Sequence, residues 1–235
     1  MGVEVLEERV PSWETFPFSL PAVRALDGLR FTTPVTFFVG ENGVGKSTLL
    51  EAIAIAFGFN AEGGSRNFNF ASHETHSPLH EAVRLVKRPK GPSDGFFLRA
   101  ESFYNVATEV ERLGAVRGYG DRSLHELSHG ESFISLTMNR FWGDGFYIMD
   151  EPEAALSPTR QLAFLVRLKD LVARGSQFII ATHSPLIMAF PGATIYEISD
   201  GGLREVRYTE TDHYLVTKRF VNDPERMLER LFRDE

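Results

Sequence analysis

The clearest pattern along the chain is a run of five apolar or β-branched residues, Val35 to Val39, followed at once by a stretch that cannot extend it. A short unbroken run of this kind predicts a strand buried on both faces. Gly40 to Gly45 is glycine-rich and ends it. From Ser47 the sequence turns alanine-rich and apolar, which predicts a helix to about Phe57 with Gly58 as its stop. The pattern returns later. Phe146 to Met149 predicts a second buried strand, ending on Asp150 and Glu151. Pro158 to Val172 predicts a helix with Leu162, Leu165, Leu168 and Leu171 on one face, Pro158 in its first turn and Gly175 just past its end. Gln177 to Ala181 predicts a third strand, running into Thr182-His183-Ser184-Pro185, where the proline forbids simple continuation. Thr194 to Ile198 predicts a fourth, and Gly201-Gly202 a turn before Leu203 to Tyr208. Strands separated by helices argue for a largely parallel sheet in an α/β fold.

Residues 60–100 read differently. Asn60, Gly63, Gly64, Ser65 and Asn67 suggest an exposed loop, and Leu79 to Val86 a short helix or strand. Arg88 to Gly95 is a turn flanked by segments that could pair, with Phe96 to Leu98 beginning the second of them. The region is expected to form a small β-rich arm or insertion. Residues 103–145 are expected to form a helical subregion, mixed at first, largely loop from Arg112 to Leu127 and helical from Ser132 to Asn139. Pro224 to Phe232 reads as a terminal helix, and the alternating acids and arginines from Arg226 to Asp234 make it amphipathic, suited to packing on the body. The expected organisation is one domain over residues 1–235.

Composition narrows the class. The 235 residues are 43% hydrophobic and carry 25 lysines and arginines against 32 acids, for a net charge of −7. That is a globular mix, and its acidity disfavours non-specific coating of nucleic acid while leaving room for a local basic patch. The absence of cysteine excludes disulfides and thiolate metal sites. No run of 18 apolar residues predicts a membrane span, and Glu4, Glu7 and Glu8 do not suit a signal peptide, so a cytoplasmic location is expected.

Three segments carry candidate chemistry, each after a predicted strand. Gly40 to Ser47 fits G-x-x-x-x-G-K-S. Glycines let backbone N–H groups turn inward around phosphate oxygens, and the following helix points its positive end at the same anion. Glu41, Asn42, Gly43, Val44, Gly45, Lys46, Ser47 and Thr48 are the candidate phosphate-binding residues. Lys46 would reach the β and γ phosphates and the Ser47 hydroxyl would ligate Mg²⁺. Asp150 would hold the same ion, directly or through water, and Glu151 would polarise an attacking water as general base. The alternative for this pair is a solvated acidic turn. His183 would contact the γ phosphate and position that water. Its alternative is a polar histidine that merely ends a strand.

In order and spacing these motifs resemble the ATP-binding-cassette (ABC) ATPases. GENGVGKST matches the Walker A loop, Phe146 to Pro158 matches Walker B with the D-loop, and His183 matches the switch histidine. Leu127-Ser128-His129-Gly130-Glu131 looks like the family signature. The resemblance implies a P-loop NTPase fold of the ABC head type, ATP and Mg²⁺ as cofactors, and hydrolysis of ATP to ADP and phosphate. It also implies a head-to-tail homodimer, with Ser128 and Gly130 of one subunit facing the γ phosphate held by the other. A plain capping box, Ser128 with Glu131, accounts for the same residues locally. Three positions depart from the family pattern. His129 stands for a glycine, Glu131 for a glutamine, and Ser157 for an aspartate that would help communication across the dimer. Glu101 is the nearest candidate for the family's loop glutamine. Trp13 or Phe16 could stack on adenine, against the alternative of an aromatic edge packed on the sheet.

Within that superfamily the motifs look most like the soluble RecF/SMC/Rad50-like branch, as small bacterial ATPases without coiled coil. Leu127 lies only 81 positions after Lys46, too few for a coiled-coil arm. The expected function is a soluble Mg-dependent ATP hydrolase that dimerises around ATP and drives a partner's conformational change in DNA maintenance or repair. DNA or a DNA-processing protein is the expected partner, and a membrane permease the disfavoured one. Two alternatives stand beside it: the ATPase subunit of a membrane transporter, and a nucleotide-gated interaction module with little turnover. Two further clusters are candidates. His73, His76 and His80 could bind Zn²⁺ or Ni²⁺, although Ser77-Pro78 interrupts a shared helix and favours a solvated loop. Arg84, Lys87, Arg88 and Lys90, near Phe68, Phe70, Phe96 and Phe97, could contact DNA phosphates or form a solvated rim over a small apolar core.

Overall fold

A computed structural model describes residues 1–66, 76–87, 89–100, 103–114, 116–120 and 123–233. The strands are β1 (Gly2–Val5), β2 (Val35–Val39), β3 (Val83–Val86), β4 (Asp94–Arg99), β5 (Gly145–Asp150), β6 (Gln177–Ala181), β7 (Thr194–Ser199) and β8 (Gly202–Val206). The helices are α1 (Pro21–Arg24), α2 (Lys46–Phe57), α3 (Phe103–Arg112), α4 (His129–Asn139), α5 (Pro158–Ala173), α6 (Pro185–Met188), α7 (Asp212–Asn222) and α8 (Pro224–Leu231). Six strands form one sheet in the order β4-β5-β6-β2-β7-β8. All neighbours are parallel except β7 and β8, which close the edge as an antiparallel pair.

Strand alternation divides the interior into two cores. Phe37, Phe96, Tyr147 and Phe178 face one layer, filled by Val106 and Val110 of α3, Phe133 and Leu136 of α4, and Phe164 and Leu168 of α5. Phe38, Phe97, Ile148 and Ile179 face the other, filled by Leu49, Leu50 and Ile53 of α2 with Ala22 and Val23 of α1. A sheet covered on both sides needs strands that are buried along their length and mostly apolar, as β2 and β5 are.

The segments flanking Arg88 to Gly95 do not pair with each other. β3 pairs antiparallel with β1, forming the small arm, while β4 is the edge of the main sheet beside β5. The reason lies in β4: Phe96 and Phe97 point to opposite faces and both are fully buried, so only a doubly covered sheet satisfies them. The apolar face of α5 is also turned from the expected one. Leu162 is 52% exposed, and Gln161, Phe164, Leu168 and Leu171 point inward. Gln161 is admitted because its amide donates to Leu156 O and accepts from Ser184 Oγ. α8 packs on α7, leaving Leu231 and Phe232 exposed, rather than covering the body as expected.

Candidate functional site

The first side chains of the site are delivered where β2 stops. Gly40 sits at φ 142°, and a Cβ there would lie 2.3 Å from Ile198 O. Gly45, at φ 99°, lets the loop turn into α2 against Leu20, whose Cδ1 would be 2.7 Å from an added Cβ. Lys46 opens the helix and is only 4% exposed. Its ammonium donates to Gly40 O and Glu41 O, both at 2.9 Å, so it closes the loop on itself. Burial pushes the Lys46 pKa down, and Glu151, Asp150, Glu153 and Glu41 pull against that shift. Four acids around one buried ammonium make a compact site of mixed charge.

Asp150 is the last residue of β5 and accepts from the Ser47 hydroxyl at 3.1 Å. A serine hydroxyl beside a buried carboxylate at a helix start is an all-oxygen donor set, which fits a hard cation such as Mg²⁺ and suits no soft metal. Glu151 follows in the left-handed region, at φ 51° and ψ 54°, a conformation that costs a non-glycine residue free energy and turns its carboxylate out of the strand direction. Its backbone N–H donates to Ala181 O, linking it to the end of β6. There His183 approaches it: Nε2 of the ring is 3.6 Å from Glu151 Oε1 and has no hydrogen-bond partner of its own. Burial pushes the His183 pKa down, and the Lys46 cation adds to that. The structure therefore brings Lys46, Ser47, Asp150, Glu151 and His183 together at the C-terminal ends of the interior strands β2, β5 and β6.

Two further residues belong to this cluster. Glu153 is half-buried, and its carboxylate accepts from the Thr182 hydroxyl at 2.7 Å and from the His183 backbone N–H. Burial raises its pKa. Glu153 thus ties the turn after β5 to the turn after β6. His213, in the first turn of α7, makes a 3.0 Å ring-to-ring hydrogen bond with Nδ1 of His183. Neither residue sits in a recognisable spacing. A glutamate three positions after a strand and a histidine 30 positions beyond His183 carry no pattern that a sequence can show.

The remaining expectations fare variously. Ser128 caps α4, accepting from Glu131 N while Glu131 accepts from Ser128 N, and the Arg160 guanidinium lies against both side chains. Ser128 and His129 are exposed, and Gly130 is buried against Ala155. Ser157 caps α5. Trp13 lies under the Arg24 guanidinium at 4.1 Å, whereas Phe16 is 68% exposed. Glu101 lies outside the described residues, as do His73, Arg88, Phe68 and Phe70. The rings of His76 and His80 lie tilted against each other with centroids 5.1 Å apart, His80 Nδ1 is bonded to Ser77 O, and among the described residues no group of three or more His or acidic side chains could hold a metal. The basic and aromatic cluster is not one surface. Arg84 pairs with Glu4, Lys87 lies over the Phe57 ring, and Phe96 and Phe97 are buried in opposite cores.

The chain is also similar to known proteins. A family model described as "AAA domain" matches residues 18–112, and one described as "AAA domain, putative AbiEii toxin, Type IV TA system" matches residues 116–189. A "Putative ribose/galactose/methyl galactoside import ATP-binding protein 2" of Agrobacterium fabrum is 28% identical over 69% of this chain and 36% of its own length. The "Cytochrome c biogenesis ATP-binding export protein CcmA" of Paracoccus denitrificans is 25% identical over 79% of this chain and 87% of its own. The chain spans about a third of the length of the first curated relatives it matches. Among solved structures, the SMC head domain of Thermotoga maritima matches with a TM-score of 0.42 at 17% identity, covering 76% of this chain and 91% of that one. By their printed names the curated relatives are import and export ATP-binding proteins. That overturns the expectation that placed DNA or a DNA-processing protein ahead of a membrane permease as partner.

Proposed function

We propose that this chain, a P-loop ATPase of the superfamily that includes ABC-type ATPases and SMC-like heads, binds ATP with Mg²⁺ and hydrolyses it as the ATP-binding subunit of a membrane transporter. The observation that carries the catalytic part is the convergence of Lys46, the Ser47–Asp150 pair and the Glu151–His183 pair at the ends of three adjacent strands.

Each residue has a task its surroundings suit. The loop N–H groups from Glu41 to Lys46 and the start of α2 take the phosphate oxygens. Lys46 exchanges its two carbonyl partners for phosphate, a stronger charge-assisted bond. Ser47 and Asp150 would hold Mg²⁺, which when bound neutralises charge on the phosphate oxygens. Glu151 accepts the proton of the attacking water, and His183 Nε2 lies on the same side to hold that water in line. Ser128, exposed at the positive end of α4, would face the γ phosphate of a second copy closing head to tail, with Gly130 buried behind it.

The transporter reading is supported by the relatives' names. Among the described residues no helix is long and apolar enough to cross a membrane, so the membrane-crossing part of such an assembly lies outside them. The test is phosphate release from Mg-ATP by the purified chain, with Lys46→Ala as control, followed by cross-linking of the ATP-loaded Glu151→Gln variant in native membranes. Recovery of a multi-span membrane protein in the cross-linked species supports the transporter assignment. Cross-links confined to copies of this chain overturn it and leave the ATPase assignment standing.

A further inference from the structure

The geometry assigns His213 as a positioning residue that holds His183 in the tautomer carrying its proton on Nε2, facing Glu151. The inference rests on the ATPase reading above and adds to it a residue from α7, a helix outside the strand-end motifs.

The argument starts from hydrogen-bond arithmetic. His183 Nδ1 and His213 Nε2 are 3.0 Å apart, and the contact is a hydrogen bond only if one nitrogen donates and the other accepts. If His183 Nδ1 were the donor, its Nε2 would be a bare lone pair. That lone pair would face the Glu151 carboxylate at 3.6 Å, from a buried position with no other partner. Two acceptors would oppose each other, the costly arrangement for buried polar atoms. If His213 Nε2 donates instead, His183 accepts at Nδ1 and carries its hydrogen on Nε2. Every contact then has complementary polarity. Both rings stay neutral at pH 7, because burial pushes each below the ordinary histidine value.

The support for His213 is itself fixed. Thr211, which caps α7, is fully buried; its hydroxyl donates to Tyr208 O at 2.9 Å and accepts from Tyr214 N at 3.3 Å. The first turn of α7 is thereby anchored, although the helix buries none of its own residues. On the other side, Glu153 holds the His183 backbone N–H. The ring is gripped at its main chain by one element and at Nδ1 by another, leaving Nε2 to face Glu151. An imidazole whose far nitrogen accepts a hydrogen bond has its tautomer and orientation set by that bond.

The test uses the full chain. Wild type, His213→Phe and His213→Gln are compared for kcat and KM with Mg-ATP. His213→Phe is expected to lose about 10- to 100-fold in kcat with KM for ATP unchanged, the cost of a misdirected catalytic group. His213→Gln, whose amide N–H can donate to Nδ1, is expected to recover most of that loss. Adding His213→Phe to His183→Ala is expected to cost nothing further. A second readout needs no nucleotide: nitrogen-15 imidazole spectra, with the His183 signal identified by its loss in His183→Ala. The proton is expected on Nε2 in wild type and His213→Gln, and spread over both nitrogens in His213→Phe. A wild-type His183 protonated on Nδ1, or a folded His213→Phe protein with undiminished kcat, overturns this inference alone. A wild-type chain that hydrolyses no ATP overturns the ATPase reading and the positioning role with it.

Discussion

The Ser47 hydroxyl donates to Asp150 Oδ1 at 3.1 Å across 103 positions of sequence. The bond joins the first turn of α2 to the last residue of β5, two strands away from β2 in the sheet. Beside Lys46 and the loop N–H groups, on the function proposed above, Ser47 and Asp150 would make the oxygen side of a Mg-nucleotide site. Asp150→Asn keeps the size and an acceptor oxygen but removes the charge. We expect it to raise the Mg²⁺ concentration for half-maximal ATP hydrolysis by at least the ~10–100-fold that loss of an outer-shell metal partner costs. A Mg²⁺ titration at saturating ATP checks this, and an unchanged midpoint removes Asp150 from the metal site.

Glu151 holds its carboxylate in place with a left-handed backbone, which glutamine tolerates equally well. Glu151→Gln therefore changes the chemistry with little change in fold. Without a base for the attacking water, kcat is expected to fall about 10²–10⁴-fold. ATP binding should persist, because on the function proposed above the phosphate contacts come from the loop and not from Glu151. The variant is expected to accumulate as an ATP-bound dimer, visible as a doubled mass with Mg-ATP and a single one without. A monomeric, fully active Glu151→Gln protein contradicts both expectations.

Much of this site is legible in the sequence because local spacing encodes it. The phosphate loop needs glycines at fixed offsets, and β2, β5 and β6 are short apolar runs whose polar successors necessarily sit at strand ends. Legibility fails where long-range packing decides. β3 and β4 are each plausible hairpin strands, and only the opposed burial of Phe96 and Phe97 sends β4 into the main sheet. The α5 face is misassigned by counting leucines, because Phe164 and the hydrogen-bonded Gln161 take the inward positions that Leu162 does not. Glu153 and His213 gain their roles from contacts about 30 residues away that have no periodicity to announce them.

His183 and His213 both have pKa values below 6.5, chiefly through burial. In the unfolded chain they titrate near that value, so below it the unfolded state binds more protons than the folded one. Their contribution to stability is full above pH 6.5 and is lost as pH falls from there through the lowered folded values. Urea unfolding midpoints should decline across that window. In His213→Gln the decline should be shallower, since one of the two groups is gone. A variant with the same slope as wild type shows that His213 does not titrate with folding.

Tyr147 is buried in the layer between α4, α5 and the sheet. Its hydroxyl donates to Asp94 Oδ2 at 2.9 Å and accepts from Trp142 N at 2.7 Å, while Arg140 holds both Asp94 oxygens. Burial and the Asp94 charge raise its pKa far above the normal tyrosine range. Tyr147→Phe keeps the ring stacked on Phe141 and Phe178 but leaves Trp142 N without that acceptor. The expected cost is about 1–3 kcal/mol, measured by denaturant unfolding. ATP turnover below the unfolding transition should be unchanged, because the network lies at the far end of β5 from Asp150.

Gly130 tests whether the signature segment is shaped by its own subunit as well as by any partner. A Cβ at this position would lie 2.7 Å from Ala155 O and 2.6 Å from Arg160 Nη1. The guanidinium can swing aside, but the Ala155 carbonyl belongs to the turn that Glu153 and Leu156 hold in place. Two effects compete in Gly130→Ala. Alanine improves helix propensity by at most about 1 kcal/mol, and less in the first turn of α4. Forcing the segments apart costs about 1–3 kcal/mol. The clash should win, so the variant is expected to unfold at lower denaturant concentration than wild type. Nucleotide affinity of the isolated monomer should be preserved, since Lys46, Ser47 and Asp150 are not touched. ATP-induced dimerisation of a Glu151→Gln background should weaken, because the displaced segment carries Ser128. A double variant that dimerises as tightly as Glu151→Gln alone would remove Gly130 from the interface and leave it a packing residue against Ala155.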